Sequence, residues 1–118
     1  MKVAKRFTFE AAHKIEGHPT CGQIHGHSYK VWVIVEGNVN ETTGMVIDFK
    51  KLSSIVNPTI AILDHCYINA LASADLTMPT AEMLAIVIAK RIRYSLPTER
   101  LTVQVWETED SYAECTLE

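Results

Sequence analysis

The amino-acid sequence predicts an α+β domain, with helices packed on one face of an antiparallel sheet and elements in the order ββααββ. Three observations carry this expectation. Two long stretches near the start alternate apolar and polar residues with the period of a strand. Two central stretches repeat apolar residues with the period of a helix. The chain then closes on two further alternating stretches.

In the first strand Val3, Phe7, Phe9, Ala11 and His13 share one parity, and Thr8 and Glu10 take the other, the mark of a half-buried strand. A loop around Gly17-His18-Pro19-Thr20 follows, with His18 expected as a surface residue. The second strand runs from about His25 to Glu36. Tyr29, Val31, Val33 and Val35 continue the parity of His25 and His27, and Gly37-Asn38 ends it. A polar turn from Asn40 to Gly44 leads to a helix capped by Asp48, with Phe49, Leu52, Ile55 and Val56 on one face and Asn57-Pro58 as its stop. Leu63 to Asn69 reads as a loop. The longest helix is expected to start at Thr80 as cap and to turn Leu84, Val87, Ile88 and Ile92 to the core. Lys90, Arg91 and Arg93 fall at its end, where positive charge suits the helix dipole. Leu101, Val103, Val105 and Glu107 then alternate with Thr102, Gln104 and Trp106. After Glu109-Asp110-Ser111 a last strand runs from Tyr112 to Leu117.

At 118 residues and 47% hydrophobic content the chain is expected to form one domain over 1–118, with no disordered class in view. A net charge of −3 argues against a general nucleic-acid binder, though an acidic protein can still hold a locally basic pocket. The three cysteines, Cys21, Cys66 and Cys115, make a poor disulfide framework and suit a reducing compartment. Met1 to Arg6 lacks the apolar core of a signal peptide, and no apolar run approaches the roughly 18 residues of a membrane span. The expectation is a cytoplasmic protein with no membrane contact. A small sheet leaves two open edges, so strand pairing between subunits is expected.

The chemistry concentrates in Cys21-Gly22-Gln23-Ile24-His25-Gly26-His27. Histidines two apart on a strand point to the same face, so both imidazoles can reach one metal ion. Gly26 between them leaves the opposite face open to another group. His13 ends the first strand on matching parity, and that strand is expected to pair with the second. Three protein nitrogens without a fourth ligand form the pattern of a catalytic zinc site with an open position. The plainer alternative is three unrelated surface histidines. Cys21, four residues before His25, has three roles open to it: a base or nucleophile of lowered pKa, a fourth ligand closing a structural site, or a small packing residue. Asp64 can fix the tautomer of His65 for proton transfer, or the two can be a turn residue and a solvated histidine. Glu107 shares the parity of Val103 and Val105, so it either points inward, where it needs a partner rich in N–H groups, or lies in a frayed strand end. Cys66 and Cys115 read as packing residues.

Taken together, Phe9-Glu10-Ala11-Ala12-His13, the Cys-x-x-x-His-Gly-His block, Gly44-Met45-Val46-Ile47-Asp48-Phe49, Leu63-Asp64-His65, Pro79-Thr80-Ala81-Glu82 and Trp106-Glu107-Thr108 resemble the 6-pyruvoyl-tetrahydropterin synthase family. Within it they resemble the 6-carboxy-5,6,7,8-tetrahydropterin synthase branch of queuosine biosynthesis. The resemblance implies the tunnelling fold, whose ββααββ subunits join through their sheets into an oligomeric barrel. This is commonly a hexamer of two trimers with active sites between subunits. It implies that His13, His25 and His27 hold Zn2+, and that Cys21 abstracts protons. Asp64 and His65 would assist proton transfer from a neighbouring chain. Glu107 would anchor the pterin's 2-amino and ring N–H edge, with Thr80 as a further pterin contact.

The implied reaction converts 7,8-dihydroneopterin triphosphate to 6-carboxy-5,6,7,8-tetrahydropterin, releasing acetaldehyde and triphosphate. The three-residue interval between Cys21 and His25 resembles the carboxy-forming enzymes, the animal pyruvoyl-forming ones having a longer interval. A related folate-branch group places a glutamate in this region. Glu16, the one loop glutamate here, gives no clear match to it. The chain departs from the family pattern at Cys66, where a basic or polar residue is more usual. Pyruvoyl-forming or aldolase-type activity on a pterin stays as the alternative, and a structural zinc-binding oligomer as the non-enzymatic one.

Overall fold

Strands β1 (Lys2–His13) and β2 (His25–Glu36) pair antiparallel along their whole length, from Lys2 opposite Glu36 to His13 opposite His25. The computed structural model describes residues 1–118. Three further strands, β3 (Cys66–Tyr67), β4 (Arg100–Thr108) and β5 (Ser111–Leu117), complete a sheet of order β3-β1-β2-β4-β5. All pairings are antiparallel except that of β3, which runs parallel to β1.

Two helices, α1 (Phe49–Leu63) and α2 (Ala81–Arg93), cover one face of the sheet. The alternation read from the sequence decides which face. Phe7, Phe9, Ala11, Tyr29, Val31, Val33, Val35, Leu101, Val103 and Val105 are all buried, against Leu52, Val56, Ile60 and Leu63 of α1 and Leu84, Ala85, Ile88, Ala89 and Ile92 of α2. The Phe9 and Tyr29 rings stack with centroids 4.6 Å apart. Valine fits such a surface, because its branched side chain loses little freedom in a strand and fills the pleat. The α+β class and helix-covered antiparallel sheet are as expected.

Three local expectations are overturned. Asn57-Pro58 does not stop α1; the helix runs on to Leu63 with Pro58 inside it. Proline removes the N–H that would bond the Ser54 carbonyl. Ser54 and Pro58 are both exposed, so water can serve that carbonyl, while Thr59, Ile60 and Leu63 remain buried and hold the last turns down. In consequence α1, at 15 residues, is longer than α2 at 13, and the helix starting after Thr80 is not the longest. Finally, the segment read as a loop contains strand β3 and a 3-10 turn at Ile68–Ala70. His65 takes a left-handed φ of 57°, and its N–H donates to the Glu10 carbonyl at 2.6 Å, which lays Cys66 and Tyr67 beside Ala11 and Ala12.

Both helix caps predicted from sequence are in place: the Asp48 carboxylate accepts from Lys50 N–H, and the Thr80 hydroxyl oxygen from Met83 N–H. At the other end of α2 the Arg93 guanidinium donates to the carbonyls of Leu96, Glu99 and Leu117, tying the helix to the β4 and β5 termini. No helix is long and apolar enough to cross a membrane.

Candidate metal centre

The full-length register of β1 and β2 has a direct consequence at its open end. His13 stands opposite His25, and His27 opposite Ala11, so all three imidazoles leave the sheet on its helix-covered face. Their ring centroids lie 4.6 to 5.1 Å apart. One nitrogen from each falls within 4.8 Å of the others, a group able to hold a metal ion.

The hydrogen bonding fixes which nitrogens those are. His13 Nδ1 lies 2.7 Å from the Pro79 carbonyl oxygen, and His25 Nδ1 lies 2.7 Å from that of Gln23. A carbonyl only accepts, so in both rings the proton sits on Nδ1 and the Nε2 lone pair is left free. The Nε2 atoms of His13, His25 and His27 are all buried, and none has a hydrogen-bond partner. Buried nitrogens without partners are costly unless something else satisfies them. A ring whose second nitrogen donates to a carbonyl is the usual form of a metal-ligating histidine. The donor set therefore fits a metal ion, and all-nitrogen ligation suits zinc among other first-row metals.

Around this trio stand three further groups. Tyr29 is fully buried beneath the rings, its hydroxyl 3.2 Å from His13 Nδ1. Burial, and then the charges of Glu107 and Cys21, push its pKa well above the ordinary tyrosine range, so it stays neutral. Glu107 Oε2 lies 3.8 Å from His27 Nε2. Glu107 lies within β4 with its side chain half-buried, and the register shift between Trp106 and Thr108 places it at an irregularity in the β4–β5 pairing. Such irregularities re-aim a side chain. Burial lowers the His27 pKa, with Glu107 working in the opposite direction. Glu107 also borders a cavity of about 670 Å3 between the start of α2 and the β4–β5 hairpin, lined in part by Glu82, Ile86, Tyr112 and Cys115. Cys21 is a free, half-buried thiol outside the three-nitrogen group, yet near enough for its charge to act on Tyr29.

The other expected residues are dispersed. Thr80 is half-buried, and its side-chain oxygen caps α2, while the preceding Pro79 carbonyl holds His13. Asp64 and His65 lie at the β3 edge. One Asp64 oxygen accepts the Glu10 N–H at 2.9 Å, and the other is 3.0 Å from His65 Nδ1. These bonds, the Glu10 N–H first and His65 second, hold the Asp64 carboxyl below its usual range. The His65 side chain is 79% exposed and borders a cleft of about 420 Å3 with Glu10, Ala11, Ala12, Gly26, His27 and Ser28, so one member of the trio also reaches its rim. Gly26 widens that cleft; a Cβ there would meet only the Ala11 carbonyl oxygen at an ordinary 3.5 Å. Sequence reasoning missed the carbonyls of Pro79 and Gln23 and the Tyr29 hydroxyl. Backbone acceptors carry no residue signature, and Tyr29 reads as an ordinary core aromatic.

Frame and centre together define a class: small α+β proteins that gather three histidines able to hold a metal ion at the open end of a β-hairpin. The family model described as 6-pyruvoyl tetrahydropterin synthase matches residues 2–118. A Haemophilus influenzae protein named 6-carboxy-5,6,7,8-tetrahydropterin synthase is 32% identical over 136 residues, covering 96% of this chain and 96% of that protein. A Pyrococcus furiosus dihydroneopterin monophosphate aldolase is 34% identical over 110 residues, covering 90% of this chain and 89% of its own. The solved 6-pyruvoyl tetrahydropterin synthase of Caenorhabditis elegans superposes with a TM-score of 0.91 over 100% of this chain and 96% of that one, at 23% identity, and so supports the fold. The chain belongs to the 6-pyruvoyl tetrahydropterin synthase family and is an enzyme of the pterin synthase or lyase type.

Proposed function

We propose that this chain, acting as one domain over 1–118, is a zinc-dependent lyase. It converts 7,8-dihydroneopterin triphosphate to 6-carboxy-5,6,7,8-tetrahydropterin, with release of acetaldehyde and triphosphate. The observation that carries the reading is the set of three buried, unpartnered Nε2 atoms on His13, His25 and His27. The name of the Haemophilus influenzae relative supports the product.

In this reading the three Nε2 atoms hold Zn2+, which supplies Lewis acidity that eases removal of protons from the pterin side chain. Cys21, outside the ligand group, takes such a proton at Sγ. The Glu107 carboxylate accepts the 2-amino and ring N–H groups of the pterin, whose paired donors match two carboxylate oxygens. Tyr29, buried and neutral, excludes water beneath the trio. Thr80 contributes a hydroxyl proton still free to donate to the pterin, its oxygen being used by the helix cap. Asp64 orients His65, and that pair serves the centre of a second copy. Their position beside the edge strand β3, with the imidazole exposed, supports a site shared between subunits of a homo-oligomer, the hexameric barrel of two trimers being the natural form. The enzyme works in the cytoplasm.

Incubation with dihydroneopterin triphosphate, following acetaldehyde and product mass, tests the reading. Absence of turnover at full zinc occupancy sinks it. The resemblance to the Pyrococcus furiosus aldolase favours a second reading, aldol cleavage to a hydroxymethyl pterin; the product mass separates the two.

A further inference from the structure

We infer that His18 and Gly22 are positioning residues that fix the loop carrying the Cys21 thiol. The inference deepens the proposed function and rests on Cys21 being the base. Cys21 lies in the connection between β1 and β2, which has no regular secondary structure of its own to fix a side chain. Both its backbone polar groups are nevertheless engaged. Its carbonyl accepts the Ile15 N–H at 2.7 Å, and its own N–H donates to His18 Nδ1 at 2.8 Å. The Thr20 N–H donates to the same nitrogen at 3.2 Å.

A backbone N–H only donates, so His18 Nδ1 carries the lone pair here, the opposite tautomer from His13 and His25. It caps N–H groups two and three residues onward, the task that Asn or Asp Oδ1 performs in turns and helix starts. The His18 backbone closes the other side. Its N–H donates to the Ile15 carbonyl at 3.2 Å, and its carbonyl accepts the Gly22 N–H at 3.1 Å. A Cβ on residue 22 would stand 2.6 Å from that carbonyl oxygen, so only glycine fits the loop in this shape. Ile15 lies two residues beyond His13, so the whole ring of bonds is anchored to a residue of the trio. His18, exposed as the sequence suggests, is also the hub of this loop.

The test uses the purified full-length protein and its His18→Ala, His18→Asn and Gly22→Ala variants. Iodoacetamide alkylation is followed at Cys21, Cys66 and Cys115 separately by peptide mass. His18→Ala should speed alkylation of Cys21 about five- to tenfold, the range that loss of one or two hydrogen bonds gives. Gly22→Ala should act in the same direction. His18→Asn, whose Oδ1 occupies the place of Nδ1, should return the rate to within about twofold of the parent. Cys66 and Cys115 should react alike in all four proteins. In turnover, His18→Ala should lower kcat with little change in KM, and His18→Asn should restore it. The clamp is overturned if Asn behaves as Ala does, if Cys21 reacts equally in every protein, or if all three thiols accelerate together. Full turnover by Cys21→Ala would instead overturn the base assignment, while the alkylation pattern would still decide the clamp.

Discussion

The histidine trio and the Asp64–His65 corner contrast in how each is held. The trio stands on two long strands paired residue by residue, on the buried face, with the tautomers of His13 and His25 set by the Pro79 and Gln23 carbonyls. The corner hangs on one left-handed residue at the sheet edge and presents an exposed imidazole. The three donor nitrogens converge within a single chain; the corner is bonded to itself and to the Glu10 backbone. The difference teaches that precision comes from strand register, whereas a group at the sheet edge, where register ends, rests on a few local bonds and stays open to solvent.

Removing a member of the trio should break the contrast most severely. His13→Ala should lower metal affinity by well over 100-fold, since loss of a mere outer-shell partner already costs about 10–100-fold. Metal content after dialysis measures it, and activity should vanish with the metal. Cys21→Ala should lower turnover by about 10²–10⁴-fold, the usual contribution of a positioned proton acceptor, while metal content stays at the parent level. Retained activity would return Cys21 to the status of a packing residue, and lost metal would make it a ligand.

A third experiment sharpens the division between chains. Cys21→Ala and His65→Ala, each inactive alone, should regain part of the activity when unfolded, mixed and reassembled. Failure to regain any would confine the site to one chain. The smallest effect is expected from pH. The Asp64 carboxyl titrates lower in the folded chain than in the unfolded one, so its contribution is complete above the ordinary carboxylate pKa of about 3.9 and is lost as pH falls through the lower folded value. Thermal melts between about pH 5 and pH 3 should therefore fall more steeply for the parent than for Asp64→Asn.

The same contrast explains what was legible in the sequence. Parity places the three histidines on one face, because a side chain's face in a strand follows from its position. The helix caps Asp48 and Thr80 were equally legible, since their oxygens act on N–H groups two or three residues away. Pro58 misled, because the rule against interior proline is local while the burial of Ile60 and Leu63 that outweighs it is tertiary. Strand β3 was illegible for a similar reason: two residues carry no period, and their place depends on one positive φ at His65. The role of His18 in its loop was hidden too, for nothing in a residue type says which ring nitrogen faces the backbone.

The bond from His13 to the Pro79 carbonyl has a last consequence. It joins positions 66 residues apart, and Pro79 immediately precedes the cap of α2. An ion on the Nε2 atoms would thus fasten the far ends of one long chain loop and would be bound by the folded chain in preference to the unfolded one. Its concentration then becomes a thermodynamic variable of folding: the melting temperature should climb with free metal and drop under a chelator, so that metal scarcity would be felt first as shortened protein lifetime.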